Sequence, residues 1–275
     1  MLRWLPLSLL ALSITACTAC GGVPRPRYPH TQPLQALTLH RLVREQVPSI
    51  RAEARVEQRG NEGRIKGTVY LLVERPSRVR FDVMTQFGPI AILTSDGERF
   101  AYSDLRTKRF MTGVTCPANI ARLLNVSLSA EQTVLLLLGG TPVIEHTKSS
   151  VDWDSAGFYR FVLHAADGQR QEVDLKVPEA DLELPTERQR LVLLRSELFD
   201  SRGRSVWRAT YDDYRRLGTG GVTTELPFSV DVVQETAGTE TRIRFKEVTV
   251  DTELPGDAFT QMPAPGMTIE EAVCP

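Results

Sequence analysis

Polar and apolar positions alternate along residues 78–85, with Val79, Phe81 and Val83 spaced as one face of a half-buried strand. Gly88-Pro89 is a turn signal that ends this strand. Just before it stands Phe87, a large apolar side chain at an expected loop tip. Either the loop folds inward, or Phe87 is offered to something apolar outside the protein. The alternation resumes at 90–94, breaks at the hairpin signal Asp96-Gly97, and returns at 100–103 and 109–112. Upstream, 50–58 and 64–73 read as a strand pair around a turn at Asn61-Glu62-Gly63, so this part of the chain is an antiparallel meander.

Helical spacing appears in three places. Over 34–47, ended by Pro48, the pattern sets Leu39, Leu42, Val43 and Val47 on an apolar side; Arg41, Arg44 and Glu45 lie opposite, and His40 is also expected to be exposed. Over 117–124, Ile120, Leu123 and Leu124 make one apolar stripe. Ser129 is an N-cap with Gln132 completing a capping box, and the helix it starts runs into Val134, Leu135, Leu136, Leu137 and Leu138 before Gly139-Gly140. Such a helix is apolar nearly all round and must be covered on most sides or line an apolar space. Strands then follow at 151–153, 158–164, 171–177, 191–199, 206–214, 228–234 and 241–250. The acidic stretch 178–185 is a loop in which Leu182 and Leu184 could form an edge strand, and the tail after 254 holds Phe259, Met262 and Met267 among prolines. The fold class is mainly β (α+β), one antiparallel sheet with a few helices packed on one side.

The N-terminus adds a compartment. Arg3 precedes an apolar run over 5–14, ten residues long and too short for the roughly 20 that a bilayer requires. It fits a signal peptide, residues 1–16, and Ile14-Thr15-Ala16-Cys17 has the bacterial lipobox pattern. Cys17 is the expected lipidation site; Cys20 is a poorer candidate because Cys17 would sit at its −3 position. The bland alternative is an ordinary secretory peptide that carries a cysteine. Thr18 follows Cys17, and by resemblance to enterobacterial sorting this implies the outer membrane. Residues 17–33, with Gly21, Gly22, Pro24, Pro26, Pro29 and Pro33, are expected to be an extended tether, leaving 34–275 as a single domain. Cys116 and Cys274 are a candidate disulfide in this oxidising setting; in the chain-entropy model so long a loop is stabilised by roughly 4–5 kcal/mol, and Cys20 is left unpaired.

Composition removes other classes. Net charge is −1 and the pI near 6.5, with no basic excess to hold nucleic acid. Phosphate loops, nucleophile elbows and His-Glu-x-x-His pairs are missing from the sequence, and His30, His40, His146 and His164 are scattered. The glycines at 218, 220 and 221 lack the strand-to-helix setting of a phosphate cradle, and Asp212-Asp213 point to opposite faces if they lie in a strand. Asn125-Val126-Ser127 is a chance glycosylation match. No enzyme activity, cofactor or metal is expected.

Arg78-Val-Arg-Phe81, Gln86-Phe-Gly88, Asp96-Gly97, the leucine-rich helix ending at Gly139-Gly140, Trp207 with Tyr211-Asp-Asp-Tyr214, and 242–250 before Leu254-Pro255 and Phe259 come in an order that resembles the LolA/LolB superfamily of lipoprotein carriers, closest to the outer-membrane receptor LolB. The resemblance covers most of 47–263 in outline. It implies a half-open antiparallel β-barrel with a helical lid, and an apolar cavity for acyl chains. Phe87 would be the membrane-inserting residue of the loop after the third strand, a position where a leucine is associated with the family. Ile120, Leu123, Val134, Leu135, Leu137 and Leu138 would line lid and cavity. The implied partners are acylated lipoproteins or lipids, a periplasmic LolA-like carrier, and the outer membrane reached through the N-terminal lipid anchor, the chain acting as a monomer that faces the periplasm. A non-transport envelope sensor or assembly module of the same fold is the competing expectation. The mature chain is longer than the enterobacterial receptor, with the surplus expected between 142 and 190.

Overall fold

The computed structural model describes residues 23–60, 63–124, 127–219, 222–250 and 253–274. The signal peptide, Cys17, Cys20 and Asn125 lie outside them, as do the side chains of Leu123 and Leu124.

After the helix α1 (Pro33–Glu45), the first meander is β1 (Ser49–Gly60), β2 (Gly63–Glu74), β3 (Arg78–Thr85), β4 (Gly88–Ser95), β5 (Arg99–Asp104) and β6 (Arg109–Val114). Helices α2 (Pro117–Leu124) and α3 (Ala130–Leu137) interrupt it. A second meander follows: β7 (Lys148–Asp154), β8 (Phe158–His164), β9 (Arg170–Lys176), β10 (Val192–Phe199), β11 (Ser205–Thr219), β12 (Val222–Gln234) and β13 (Thr239–Val250). β13 pairs antiparallel with β1, so the two meanders become one 14-stranded sheet with the order β14-β6-β5-β4-β3-β2-β1-β13-β12-β11-β10-β9-β8-β7. The sheet does not close: β14 (Thr268–Ala272) and β7 are its edges. This is a mainly β fold with an open, half-barrel sheet and helices on its inner side.

Register explains which side is inner. Val73, Leu71 and Val69 on β2 stand opposite Val79, Phe81 and Val83 on β3, which in turn face Ser95, Leu93 and Ala91 on β4. All nine lie on one face because side chains alternate with period two. α3 packs on this face against β2 and β3. Its Ser129 cap accepts from the Gln132 amide while the Gln132 side chain receives the Ser129 N–H, so the capping box read from the sequence is present. In the second meander the inner face carries Tyr159, Phe161 and Leu163 on β8 opposite Leu175, Val173 and Gln171 on β9. On the outer face Arg195 bridges Asp174 at 2.8 Å, Glu172 at 2.7 Å and Glu197 at 2.5 Å, linking β9 to β10.

The antiparallel order also defines two rims. The β1–β2, β3–β4 and β12–β13 turns lie on one; the β2–β3, β4–β5 and β11–β12 turns lie on the other.

Two local expectations are corrected, for α1 and for residues 23–32. α1 buries only half of the stripe its spacing suggests: Val47 is buried and Leu39 packs against the core, but Leu42 and Val43 are exposed, while Ala36, Leu37, His40 and Arg44 are buried. The carbonyls of Leu191, just before β10, and of Glu225 on β12 are bonded by His40 and Arg44, so hydrogen bonding outweighs the apolar count. The 178–185 stretch is a loop, as expected, with a 3-10 turn at Glu179–Asp181 and no edge strand; a second 3-10 turn follows at Thr186–Arg188. The tail is ordered: Phe259 is buried, the Gln261 amide donates to the carbonyls of Ile92 and Ala101, and β14 then pairs parallel to β6. Residues 23–32 are laid on the body, with Val23 N–H bonded to Ser155 at 3.1 Å, Arg27 N–H to Leu182 at 2.9 Å, and Pro26 and His30 buried.

Candidate functional site

Phe87 stands at the tip of the β3–β4 turn and is 91% exposed. Thr85 holds the turn closed: its hydroxyl donates to the Gly88 carbonyl at 2.9 Å and accepts the Phe87 N–H at 3.3 Å. Gly88 takes φ of +114°, which only glycine adopts without strain, so the sharp reversal that projects Phe87 is written into its neighbour. Of the two readings of this residue, the structure has it facing outward.

On the same rim, between the inner face of β1–β5 and α2, lies a cavity of about 300 Å³. Its apolar wall is Val56, Ile65, Val69, Val83, Met84, Ile90 and Ala91. Lys66, Asp104, Arg106 and Arg122 give it charged members of both signs. Tyr102 also lines it; burial first, and then Asp104, push its phenol above the ordinary range, so it stays protonated. Ile65 is 68% exposed beside it, and together with Phe87 extends the apolar character to the surface.

The proposed lid residues divide differently. Ile120, Val134, Leu137 and Leu138 are all within the closed core. α3 therefore fills the middle of the concave face with its own side chains. Leu135 turns away from them and lines a smaller recess of about 130 Å³ with Leu34, Leu37 and Val143. Cys116 and Cys274 form a disulfide with Cα atoms 6.3 Å apart, and Asn119, which starts within α2, donates to the carbonyls of Val114 and Ala272. The chain end is thereby fastened beside α2.

The opposite rim holds a larger groove of about 680 Å³, between α1, the 180–192 connection and the β11–β12 hairpin. His40 Nδ1 donates to the Leu191 carbonyl at 3.0 Å, leaving Nε2 buried and unbonded. Burial, and then the Arg44 charge, lower its pKa to about 4, so it is neutral at pH 7. Arg44 donates to the Glu225 carbonyl, and its Nε is buried without a partner. Burial lowers its pKa from the ordinary value. Arg190 spans Asp181 and Glu225, each at 2.7 Å, and Arg216 also reaches Glu225 at 2.9 Å. Nothing in helical periodicity announced this groove; the only trace was two polar residues, His40 and Arg44, four apart on one helix.

Among the described residues no cluster of His, Cys, Asp and Glu could hold a metal, and no helix is long and apolar enough to cross a membrane.

By sequence, no protein-family model and no curated protein matches the chain. By structure it is similar to a putative outer membrane lipoprotein-sorting protein domain from Vibrio parahaemolyticus, with TM-score 0.51 and 11% identity over 83% of this chain and 97% of that one. It is similar to a LolA superfamily protein from Nitrosomonas europaea, with TM-score 0.50 and 11% identity over 84% and 99%. A DUF1329 family protein from Desulfovibrio piger gives TM-score 0.54 and 11% identity over 82% and 96%. At such identities the likeness is one of fold alone.

Proposed function

We propose that this chain is a non-enzymatic envelope protein that handles acyl chains, anchored through Cys17 to the outer membrane and delivering lipidated proteins or lipids into it from a periplasmic LolA-like carrier. The observation that carries the reading is the pairing, on one rim, of a Phe87 that is 91% exposed with an apolar cavity of about 300 Å³. An acyl chain leaving such a cavity passes a side chain that can enter the bilayer beside it. Moving from one apolar site to another keeps the chain out of water at about 0.8 kcal/mol per CH₂, so no covalent step is required.

The test uses the full chain in two settings. Cells depleted of it are fractionated, and lipoproteins are expected to fail to reach the outer membrane; normal arrival sinks the delivery role. Phe87→Glu is then supplied in place of the native chain. It is expected to fold normally, since an exposed tip carries little stability, and to fail in delivery; full activity removes Phe87 from the mechanism.

The filled concave face favours a second reading, a sensor or assembly module of the same fold. Ile120, Val134, Leu137 and Leu138, which the delivery reading would give to a lid or cavity, are buried in the core. Native mass spectrometry of the purified protein separates the two: co-purifying acyl chains support delivery, and a protein without them supports the module.

A further inference from the structure

The lipid-handling reading uses the Phe87 rim and leaves the opposite groove without a role. That groove contains an electrostatic imbalance. Three arginines, Arg44, Arg190 and Arg216, face two carboxylates, Asp181 and Glu225, an excess of one positive charge. Both carboxylates are already engaged: Asp181 by Arg190, and Glu225 by Arg190 and Arg216. Among the described residues, no carboxylate is within ion-pairing distance of Arg44, which is only 6% exposed. A buried cation is ordinarily paired, because desolvation without a counter-charge is costly. Among the described residues the bond its guanidinium makes is to the Glu225 backbone carbonyl, a dipole and not a charge.

The position is also prepared. Gly139, at φ +75°, has no side chain, and a Cβ there would lie 3.5 Å from Arg44 Nη1 and 2.7 Å from Pro227. The guanidinium is thus seated between the end of α3 and β12, where it is held for contact and does not reach into bulk water. Around it the groove is not uniformly polar: Leu39, Val43, Leu191 and Val192 are among its walls. A charge-seeking centre with apolar walls fits a ligand with one anionic end and one apolar end.

We propose that the groove between α1 and the β11–β12 hairpin is a second binding site, in which Arg44 takes the carboxylate or phosphate head of a single-chain amphiphile while Leu39, Val43 and Leu191 hold its chain. Glu225 offsets the Arg44 charge only from beyond ion-pairing distance while it is shared with Arg190 and Arg216, and the ligand supplies the direct counter-charge. Because this site lies on the rim opposite Phe87, it stands or falls independently of the delivery reading.

The experiment is calorimetric titration of the full chain, in a neutral detergent, with octanoate, octyl phosphate, octanol and inorganic phosphate. The two charged amphiphiles are expected to bind at least tenfold more tightly than octanol, and more tightly than inorganic phosphate. A stronger response to octanoate or to octyl phosphate identifies which head is preferred. Arg44→Gln is expected to reduce both to the octanol level. Because a buried arginine can be needed for folding, Thr223→Glu serves as a second variant: Thr223 is exposed on the groove wall and is not among the residues that hold the chain, and a carboxylate there is expected to weaken the anions tenfold while sparing octanol. Octanol binding as tightly as the anions overturns the proposal. So does inorganic phosphate binding as tightly as octyl phosphate, or an unchanged anion preference in the folded variants.

Discussion

The hydroxyl of Tyr211 on β11 donates to the carbonyl of Gly140 at 2.9 Å, joining the end of α3 to the second meander. Both partners are buried, and burial drives the phenol well above its ordinary pKa, so it remains a donor throughout the physiological range. α3 is consequently held from two sides, by β2 and β3 beneath it and by β11 at its C-terminal end. Tyr211→Phe removes the donor and strands a buried carbonyl, which costs about 1–3 kcal/mol. The urea midpoint is expected to fall accordingly with the m-value unchanged.

Gly139 provides a sharper test of the same junction. Any residue but glycine meets the left-handed backbone cost there, roughly 1–2 kcal/mol. Gly203 has nearly the same φ, +76° against +75°, but a Cβ there meets nothing within 4 Å, whereas at Gly139 it would stand 2.7 Å from Pro227 Cδ. Gly139→Ala should therefore be more destabilising than Gly203→Ala, by about 1–3 kcal/mol of overpacking. Equal losses in chemical denaturation would mean that the junction yields freely.

His40 makes stability depend on pH. Its folded pKa is about 4, below the ordinary histidine value of 6.5, so the unfolded chain binds the extra proton first. Its contribution is complete above pH 6.5 and is lost as pH falls through the interval down to about 4. The full loss is about 3 kcal/mol. His40→Gln keeps a donor for the Leu191 carbonyl and cannot titrate. The fall in stability between pH 7 and pH 4.5 should be smaller in this variant than in the parent, and parallel curves would remove His40 as the cause.

The Cys116–Cys274 bridge closes a separation of 158 residues. Replacing both cysteines by alanine is expected to cost about 5 kcal/mol in the chain-entropy model. β14 is held to β6 beside this bridge, so amide exchange over 268–272 should rise first.

What was legible in the sequence was local. β3 could be read residue for residue because Val79, Phe81 and Val83 alternate with polar neighbours, and α2 and the capping box at Ser129 announced themselves by spacing. β14 was not legible, since Thr268-Ile-Glu-Glu-Ala272 has little alternation and becomes a strand only because β6 offers it an edge. Phe87 could be placed at a turn; whether it pointed out or in depended on the Thr85–Gly88 closure.

α1 marks the boundary most clearly. Its helix and its stop at Pro48 follow from sequence, because backbone preferences and proline act within a few residues. Which face it buries does not, because that was set by carbonyls of Leu191 and Glu225, 151 and 181 residues away in the chain. By itself the sequence determined the first thirteen strands, the helices and the mainly β class. The tertiary structure decided that α3 packs on the face of β2 and β3, and that an arginine with no carboxylate in ion-pairing distance among the described residues lines a groove opposite Phe87, since both depend on which distant surfaces meet and on the charges and carbonyls they bring.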